Sequence, residues 1–303
     1  MNPSLAFVFP GQGSQSLGML AELAAVHPVV RECFDEASQG CGLDLWALSQ
    51  QGPEERLNQT ENTQPALLAA NVAVWRAWVA AGGAQPARLA GHSLGEYAAL
   101  VAAGALALGD AARLVRERGR LMQQAVPAGV GAEYCAQVSG DEVVVPANYN
   151  SPGQVVIGGH AAAVERALAK LAARGVRKTV RLAVSVPSHT PLMREAADRL
   201  GETMASLAWR QPDRPVVQNA DAASHGDVDA IRAALVRQLY LPVRWTGCVQ
   251  ALAAAGAAEL VECGPGKVLA GLARRIDKGL AARAIGAPAD FDLALTELIQ
   301  EQA

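Results

Sequence analysis

Short apolar runs that end in glycine alternate with longer Ala/Leu-rich segments along the chain. Residues 5–9 are continuously apolar and stop at the turn 10–13, the pattern of a strand covered on both faces. Strand, turn and helix recur around 89–103 and 260–276, and this alternation predicts a parallel sheet flanked by helices. Apolar residues at helical spacing predict helices in 17–38, 64–80 and 94–103.

The pattern changes between residues 126 and 189, where strand-like pieces become frequent. We therefore predict a large α/β domain made of residues 1–125 and 190–303, and a small α+β domain of residues 126–189 inserted into it. In the last strand-like piece, apolar residues alternate with others, as in a strand with one buried face. The predicted strands are 143–145, 155–157 and 179–186, and the predicted helix is 161–174.

Composition narrows the class of protein. Hydrophobic residues make up 51% of the 303 residues and charged residues 18%, which is typical of a globular chain. A formal net charge of -3 argues against a nucleic-acid surface. No stretch is long and apolar enough to span a membrane, and no signal peptide is evident, so we expect a cytoplasmic protein. Its five cysteines are scattered and are expected to be reduced thiols.

The segment GHSLG, residues 91–95, has the Gly-x-Ser-x-Gly pattern of a nucleophile elbow. In such an elbow, a sharp turn between strand and helix exposes the serine hydroxyl, and the helix N-terminus offers N–H groups to an oxyanion. Ser93 is preceded by a short apolar run and followed by a helical one, which is the required setting. The alternative is that Ser93 is only a small residue in a tight turn.

A serine nucleophile needs a base, and the chain contains five histidines. His189 is the favoured candidate because it stands at the abrupt end of the alternating strand, where α/β proteins commonly carry chemistry. His92 is expected to point away from its neighbour Ser93, and the others lie in helical or polar loop segments. A structural histidine at a strand end is the alternative.

Arg118 stands on the apolar stripe of a predicted helix. Leu114 lies four residues before it, and Leu121 and Met122 follow three and four residues after it. An inward-facing guanidinium is costly unless it meets an anion. That anion is either a carboxylate of the chain itself or the carboxylate of a substrate, which arginine can bind with two hydrogen bonds.

The segment FPGQGSQ, residues 9–15, does not match a nucleotide-binding loop, because Ser16 stands where the third glycine of G-x-G-x-x-G would fall. Gln12 instead follows the first predicted strand between two glycines. It could present its backbone N–H or its amide beside the elbow as a second oxyanion donor.

Eight motifs follow one another along nearly the whole chain. They are FPGQGSQ, TQPAL, GHSLGEY, ERGRLMQ, NYNSPGQVVI, VPSH, VRQLY and GPGKVL. In this order they resemble the malonyl-CoA:acyl carrier protein transacylases of fatty-acid synthesis. The resemblance implies a hydrolase-like large domain with a parallel sheet flanked by helices, and a ferredoxin-like small domain.

The resemblance also implies roles for individual residues. Ser93 would be the nucleophile, His189 its base, and Arg118 the residue that binds the free malonyl carboxylate. The backbone N–H groups of Gln12 and Leu94 would form the oxyanion hole. The residues implied with subsidiary roles are Gln238, whose backbone carbonyl would orient the histidine, and Gln64 and Asn150, which would line the pocket.

The implied reaction moves a malonyl group from malonyl-CoA to the phosphopantetheine thiol of acyl carrier protein through a malonyl-serine intermediate. It requires no metal and no tightly bound cofactor. The carrier protein and the coenzyme A thioester are the expected partners. A malonyltransferase for a polyketide or malonate decarboxylase carrier, a serine (thio)esterase and a non-catalytic carrier-binding subunit remain alternatives.

The chain departs from the family pattern in one place. Residues 133–143 form a segment of eleven residues, and the corresponding segment of family members is longer. Either the small domain is truncated, or a disordered stretch is absent from this sequence. Nearby, a basic cluster is either a docking surface for an acidic carrier protein or a solvated face. Its members are Arg174, Arg177, Lys178 and Arg181.

Overall fold

The computed structural model of the chain describes residues 1–125, 142–176, 179–180, 182 and 186–300. The strands are β1 Asn2–Phe9, β2 Pro86–Gly91, β3 Val144–Ser151, β4 Gln154–Gly159, β5 Val216–Val217, β6 Glu259–Glu262 and β7 Ala281–Ala284. The helices are α1 Ala21–Val26, α2 Val29–Cys41, α3 Leu45–Gln51, α4 Glu54–Leu57, α5 Thr60–Ala80, α6 Gly95–Ala102, α7 Leu108–Gln124, α8 Ala161–Ala173, α9 Arg194–Ala205, α10 Val228–Tyr240, α11 Trp245–Ala254, α12 Val268–Ile276 and α13 Pro288–Gln300, with a short 3₁₀ turn at Pro191–Met193.

The main sheet has five strands in the order β5-β2-β1-β6-β7, and every neighbouring pair is parallel. The prediction of a parallel sheet flanked by helices is confirmed. β1 lies at the centre, and its side chains alternate between the two faces. Phe7 and Phe9 pack into the larger core with α2, α5 and α7, whereas Ala6 and Val8 pack against α11 and α12 on the other face.

The predicted helices are present with shifted boundaries. The segment predicted as one helix over 17–38 forms α1 and α2, which are separated at His27 and Pro28. Proline disfavours helical geometry in the residue before it, so the break falls there. The helix predicted from residue 64 begins four residues earlier, at Thr60. The apolar periodicity did not indicate this first turn because its residues are polar.

The described part of the inserted segment is an antiparallel hairpin, β3 and β4, followed by α8. Two backbone hydrogen bonds attach β3 to the main body, from Tyr149 N to Val243 O and from Val243 N to Ala147 O, each 2.9 Å. The domain division and the ferredoxin-like topology stay predictions.

The strand predicted over 179–186 is not found at its described positions, which are 179, 180, 182 and 186. Val180 and Leu182 are exposed and so do not form the buried face that the alternation predicted. Residues 133–141 of the short region lie outside the described residues, as do Cys135 and three members of the basic cluster, Arg177, Lys178 and Arg181.

The described cysteines are Cys33, Cys41, Cys248 and Cys263, and all four are free thiols, as expected. None of the helices in the described ranges is long and apolar enough to cross a bilayer.

Two glycines let α6 approach the central strands closely. A Cβ atom at Gly95 would overlap the carbonyl oxygen of Phe9, and one at Gly91 would overlap the backbone of Gly95. The ends of β1 and β2 and the start of α6 are therefore in direct backbone contact. This contact fixes the position of the turn between β2 and α6.

We expect Gly95→Ala to lower the free energy of unfolding by about 1–3 kcal/mol, because the added methyl group forces α6 away from β1. Gly271→Ala is the matched control, since a Cβ at Gly271 in α12 meets nothing within 4 Å. That control should be neutral or gain about 0.5–1 kcal/mol. Urea unfolding measures both, and equal midpoints for the two variants would contradict the close-contact argument.

Candidate active site

The turn between β2 and α6 holds Ser93 in a strained conformation. Its φ angle is 51°, in the left-handed region that residues other than glycine rarely adopt. The preceding residue attaches the turn to the central strand, because the N–H of His92 donates to Phe9 O at 2.9 Å. The strand-turn-helix geometry of a nucleophile elbow is thus present at GHSLG.

Ser93, His189 and the main chain of Gln238 form a continuous chain of hydrogen bonds. The Oγ of Ser93 lies 2.8 Å from Nε2 of His189, and Nδ1 of the same ring lies 2.7 Å from the carbonyl oxygen of Gln238. A carbonyl can only accept, so Nδ1 carries the proton and Nε2 is unprotonated. The imidazole is therefore in the tautomer that can accept a proton from the serine hydroxyl.

All five histidines lie in the described part of the chain, and among them His189 alone has a ring that is hydrogen-bonded to the Ser93 hydroxyl. Its ring is buried, and its backbone N–H donates to Leu239 O at 2.9 Å. His92 points away from the serine, as expected, and its Nε2 lies 2.9 Å from Oδ1 of Asn150. The other contacts are His27 with Phe291, His160 with the backbone of Val143, and His225 with Asp221.

The guanidinium of Arg118 is buried beside the serine hydroxyl. It donates through Nη1 to Oε1 of Gln64 at 2.9 Å, and through Nη2 to Oε1 of Gln238 at 3.0 Å and to Ser93 Oγ at 3.3 Å. No carboxylate within the described ranges ion-pairs with it, and Nε has no hydrogen-bond partner there. The ring of Tyr97 lies 5.6 Å away. A buried positive charge therefore faces the serine with amide oxygens as its acceptors.

The N–H groups of Gln12 and Leu94 make no hydrogen bond to any residue in the described part of the chain. Gln12 follows β1, and its side-chain Nε2 lies 3.4 Å from Thr60 Oγ1. Leu94 is buried at the start of α6, where N–H groups point away from the helix. Both are available as donors on the carboxyl side of the sheet.

Five of the eight predicted residues are joined by hydrogen bonds, and Gln12 and Leu94 are the two N–H donors described above. Ser93, His189, Arg118, Gln64 and Gln238 form one connected hydrogen-bond network. The side chain of Asn150 contacts His92 instead, on the other side of the elbow.

Sequence reasoning missed two buried residues in this network, Glu96 and Asn219. Both have no exposed side-chain surface. One oxygen of Glu96, Oε2, accepts from the backbone N–H of Asn219 at 2.8 Å and from Nε2 of Gln238 at 3.1 Å. The sequence signal for Glu96 was its place in the GHSLGEY motif. The signal for Asn219 was the polar pair Gln218 and Asn219 directly after the apolar strand β5.

Burial shifts the pKa of two groups in this network that titrate between acid and neutral pH, His189 and Glu96. It lowers the pKa of His189 from 6.5 to about 3, and the positive charge of Arg118 acts in the same direction. Burial raises the pKa of Glu96 from 4.5 to about 7. His189 is therefore a neutral base at every pH near neutrality, whereas Glu96 changes its charge there.

This arrangement of a serine, a neutral imidazole, free N–H donors and a buried cation suits acyl transfer through a serine ester. A family model described as an acyl transferase domain matches residues 6–284. The chain belongs to this acyl transferase family.

Known relatives extend the match over the whole chain. The malonyl CoA-acyl carrier protein transacylase of Salmonella typhimurium is 54% identical, over 96% of this chain and 99% of that protein. The crystal structure of the malonyl-CoA:acyl carrier protein transacylase of Xanthomonas oryzae pv. oryzae superposes with a TM-score of 0.94 at 65% identity, covering 98% of this chain and 99% of that one.

A second solved structure includes a partner. It is a type II polyketide synthase acyl-carrier protein in complex with its malonyl-transacylase, which matches this chain with a TM-score of 0.92 and 50% identity. The match covers 97% of this chain and 99% of that one.

A fluorophosphonate should label Ser93 covalently. We expect that protonation of His189 does not lower the labelling rate between about pH 8 and about pH 5. The reactive form is the neutral imidazole, and a pKa near 3 keeps it neutral over that range. The pH–rate profile of labelling, followed by intact mass, measures this.

Glu96→Gln is the control, because it removes the carboxyl group whose pKa is about 7. A fall in rate near pH 7 that disappears in Glu96→Gln belongs to Glu96. A fall near pH 6.5 that persists in both proteins would contradict the lowered pKa of His189.

Proposed function

We propose that this protein transfers the malonyl group of malonyl-CoA to the phosphopantetheine thiol of acyl carrier protein, and so supplies fatty-acid synthesis. The observation that carries this proposal is the position of the buried Arg118 guanidinium, 3.3 Å from the hydroxyl of a serine that is hydrogen-bonded to a neutral histidine. A cation at that place fits an acyl group that bears its own carboxylate.

In the first half-reaction, Oγ of Ser93 attacks the thioester carbonyl while Nε2 of His189 takes the hydroxyl proton. The negative charge that develops on the carbonyl oxygen is stabilised by the N–H groups of Gln12 and Leu94. The carbon–sulfur bond then breaks, the coenzyme A sulfur takes the proton from His189, and the malonyl group remains as an ester on Ser93.

In the second half-reaction, the phosphopantetheine thiol of the carrier protein attacks the ester. His189 takes the thiol proton, and the same two N–H groups stabilise the second oxyanion. The bond from carbon to Ser93 Oγ breaks, and the serine recovers its proton from His189. Every proton and electron pair is supplied by the two substrates and these residues, so the cycle consumes no cofactor.

Arg118 binds the free carboxylate of the malonyl group. Its present partners are neutral amides and a hydroxyl, so its charge is not compensated by an ion pair within the described ranges. Charge-assisted hydrogen bonds to an arginine are stronger than neutral ones, particularly when water is excluded. An acetyl group offers no carboxylate, and the site therefore prefers malonyl groups.

The high identity to malonyl CoA-acyl carrier protein transacylases supports this function over the serine esterase alternative. The Gln238 carbonyl in place of an acid leaves His189 a weak base, which suits attack by a thiol better than attack by water. A cytoplasmic location stays a prediction.

Intact-protein mass spectrometry after mixing with malonyl-CoA tests the proposal. We expect the wild type to gain one malonyl group and Ser93→Ala to gain none, because the ester forms on that hydroxyl. Ser151→Ala is the control, since its buried hydroxyl has no hydrogen-bond partner in the described part of the chain. Absence of the adduct in the wild type, or its presence in Ser93→Ala, would refute the mechanism.

We expect Arg118→Ala to lower kcat/KM for malonyl-CoA by roughly tenfold to a few hundredfold, since a hydrogen bond to a charged group contributes about 1.5–3 kcal/mol. Transfer of acetyl groups from acetyl-CoA should hold or increase. Steady-state kinetics with both thioesters measures the ratio.

Arg113→Ala, on the exposed face of the same helix, is the matched control, because its ion pair with Asp110 lies at the surface and contributes little. An unchanged malonyl-to-acetyl ratio in Arg118→Ala would remove Arg118 from the binding site.

A further inference from the structure

The strand β5 is too short to pair with the whole of β2. It contains two residues, Val216 and Val217, which lie opposite Leu89 and Ala90. Beyond Val217 the backbone pairing stops, although β2 continues to Gly91 and then turns into the elbow. The edge of the elbow therefore has backbone groups that no neighbouring strand satisfies.

The side chain of Asn219 satisfies these groups. Its Oδ1 accepts from the N–H of Ser93 at 2.7 Å, and its Nδ2 donates to the carbonyl of Gly91 at 2.7 Å. In a parallel sheet, one residue of a neighbouring strand bonds in the same way to a carbonyl and to the N–H two residues further on. The carboxamide thus replaces the N–H and the C=O of a strand residue opposite His92.

The elbow needs this support because Ser93 is strained. A residue other than glycine rarely adopts a φ of 51°, and this conformation persists only when its surroundings hold it. The Ser93 N–H is bonded to Asn219, whereas the next N–H, that of Leu94, has no partner among the residues that the structure describes.

The carbonyl of Ser93 is held from the opposite direction. It accepts from Nε2 of Gln238 at 2.9 Å, and the same nitrogen donates to Oε2 of Glu96. That oxygen also accepts from the backbone N–H of Asn219. Glu96 therefore joins the two residues that hold the two backbone polar groups of Ser93.

We propose that Asn219 is a positioning residue for the acyl transfer, whose carboxamide holds the Ser93 elbow so that the hydroxyl and the Leu94 N–H meet the same carbonyl group. It does not touch the substrate and acts only through Ser93 and Gly91. This inference rests on the proposed function. A purely structural buried amide would affect stability without changing the pH dependence of turnover.

Asn219→Asp separates these two roles. An ionised carboxylate at this position accepts from Ser93 N–H but cannot donate to Gly91 O, so two oxygens face each other. A protonated carboxyl group donates through its O–H and reproduces both hydrogen bonds of the amide. We expect kcat for malonyl transfer to be about tenfold to a hundredfold below wild type at about pH 8, and to recover toward wild type as the pH falls.

The groups that face the introduced carboxyl group favour its protonated form. They are Glu96 from α6, the thiol of Cys248 from α11 at 3.8 Å, and Asp221 further along the same loop. Three arginines lie on neighbouring segments. Arg118 is linked to Asn219 through Gln238 and Ser93, Arg237 is ion-paired with Asp221, and Arg244 donates its backbone N–H to Asn219 O. Since Glu96 and the introduced carboxyl group shift each other's pKa, the two profiles are compared in a Glu96→Gln background, where only the introduced group distinguishes the proteins.

Two variants serve as controls. Asn219→Ala should lose kcat at every pH without recovery, and its KM for malonyl-CoA should stay within about twofold, since neither Arg118 nor Gln64 bonds to Asn219. Asn62→Asp replaces another buried amide that donates to a carbonyl, that of Arg56, and should keep the wild-type profile.

Hydrogen exchange in the wild type tests the same contact without a variant. The Ser93 amide should exchange slowly and the Leu94 amide rapidly, and a rapidly exchanging Ser93 amide would overturn the inference. So would Asn219→Asp kinetics parallel to the wild type at all pH values, or full kcat in Asn219→Ala. Failure of wild-type malonylation in the mass-spectrometric assay would instead refute the proposed function.

Discussion

A guanidinium that is buried beside the serine, and that is linked to the carboxyl group of Glu96 through the amide of Gln238, is the constraint on which the rest of the site depends. Arg118 brings a positive charge to the serine and helps to lower the pKa of His189, which keeps that ring neutral. Its neighbours must therefore be amide oxygens and an aromatic face, and Gln64, Gln238 and Tyr97 supply them. This charge is the basis of our proposal that the pocket selects an anionic acyl group.

The parallel sheet supplies this constellation because the carboxyl ends of three adjacent strands meet at one edge. Gln12 follows β1, Ser93 follows β2 and Asn219 follows β5, while α7 and α10 bring Arg118 and Gln238 to the same place. Close contact of Gly95 with the end of β1 holds these strand ends and the helix N-terminus together. The position of the catalytic groups thus depends on close backbone packing, which a residue larger than glycine at position 95 would disrupt.

Much of this could be predicted from the sequence because the relevant features leave local patterns. Continuous apolar strands predicted the parallel sheet, and an arginine on an apolar stripe predicted the buried Arg118. Asn219 and Glu96 could not be predicted, since each bonds to backbone atoms more than a hundred residues away and belongs to no periodic pattern. The prediction of a strand over 179–186 was wrong at its described positions. Alternation of apolar and polar residues alone does not show whether a partner strand is present.

Gln238 serves the site in two chemically separate ways. Its main-chain carbonyl orients His189, whereas its side-chain amide bonds to Arg118, Glu96 and the Ser93 carbonyl. Any amino acid placed at this position would still offer the carbonyl. A substitution at position 238 can thus change the groups around the guanidinium of Arg118. The orientation of His189 depends on the backbone, which such a substitution does not remove.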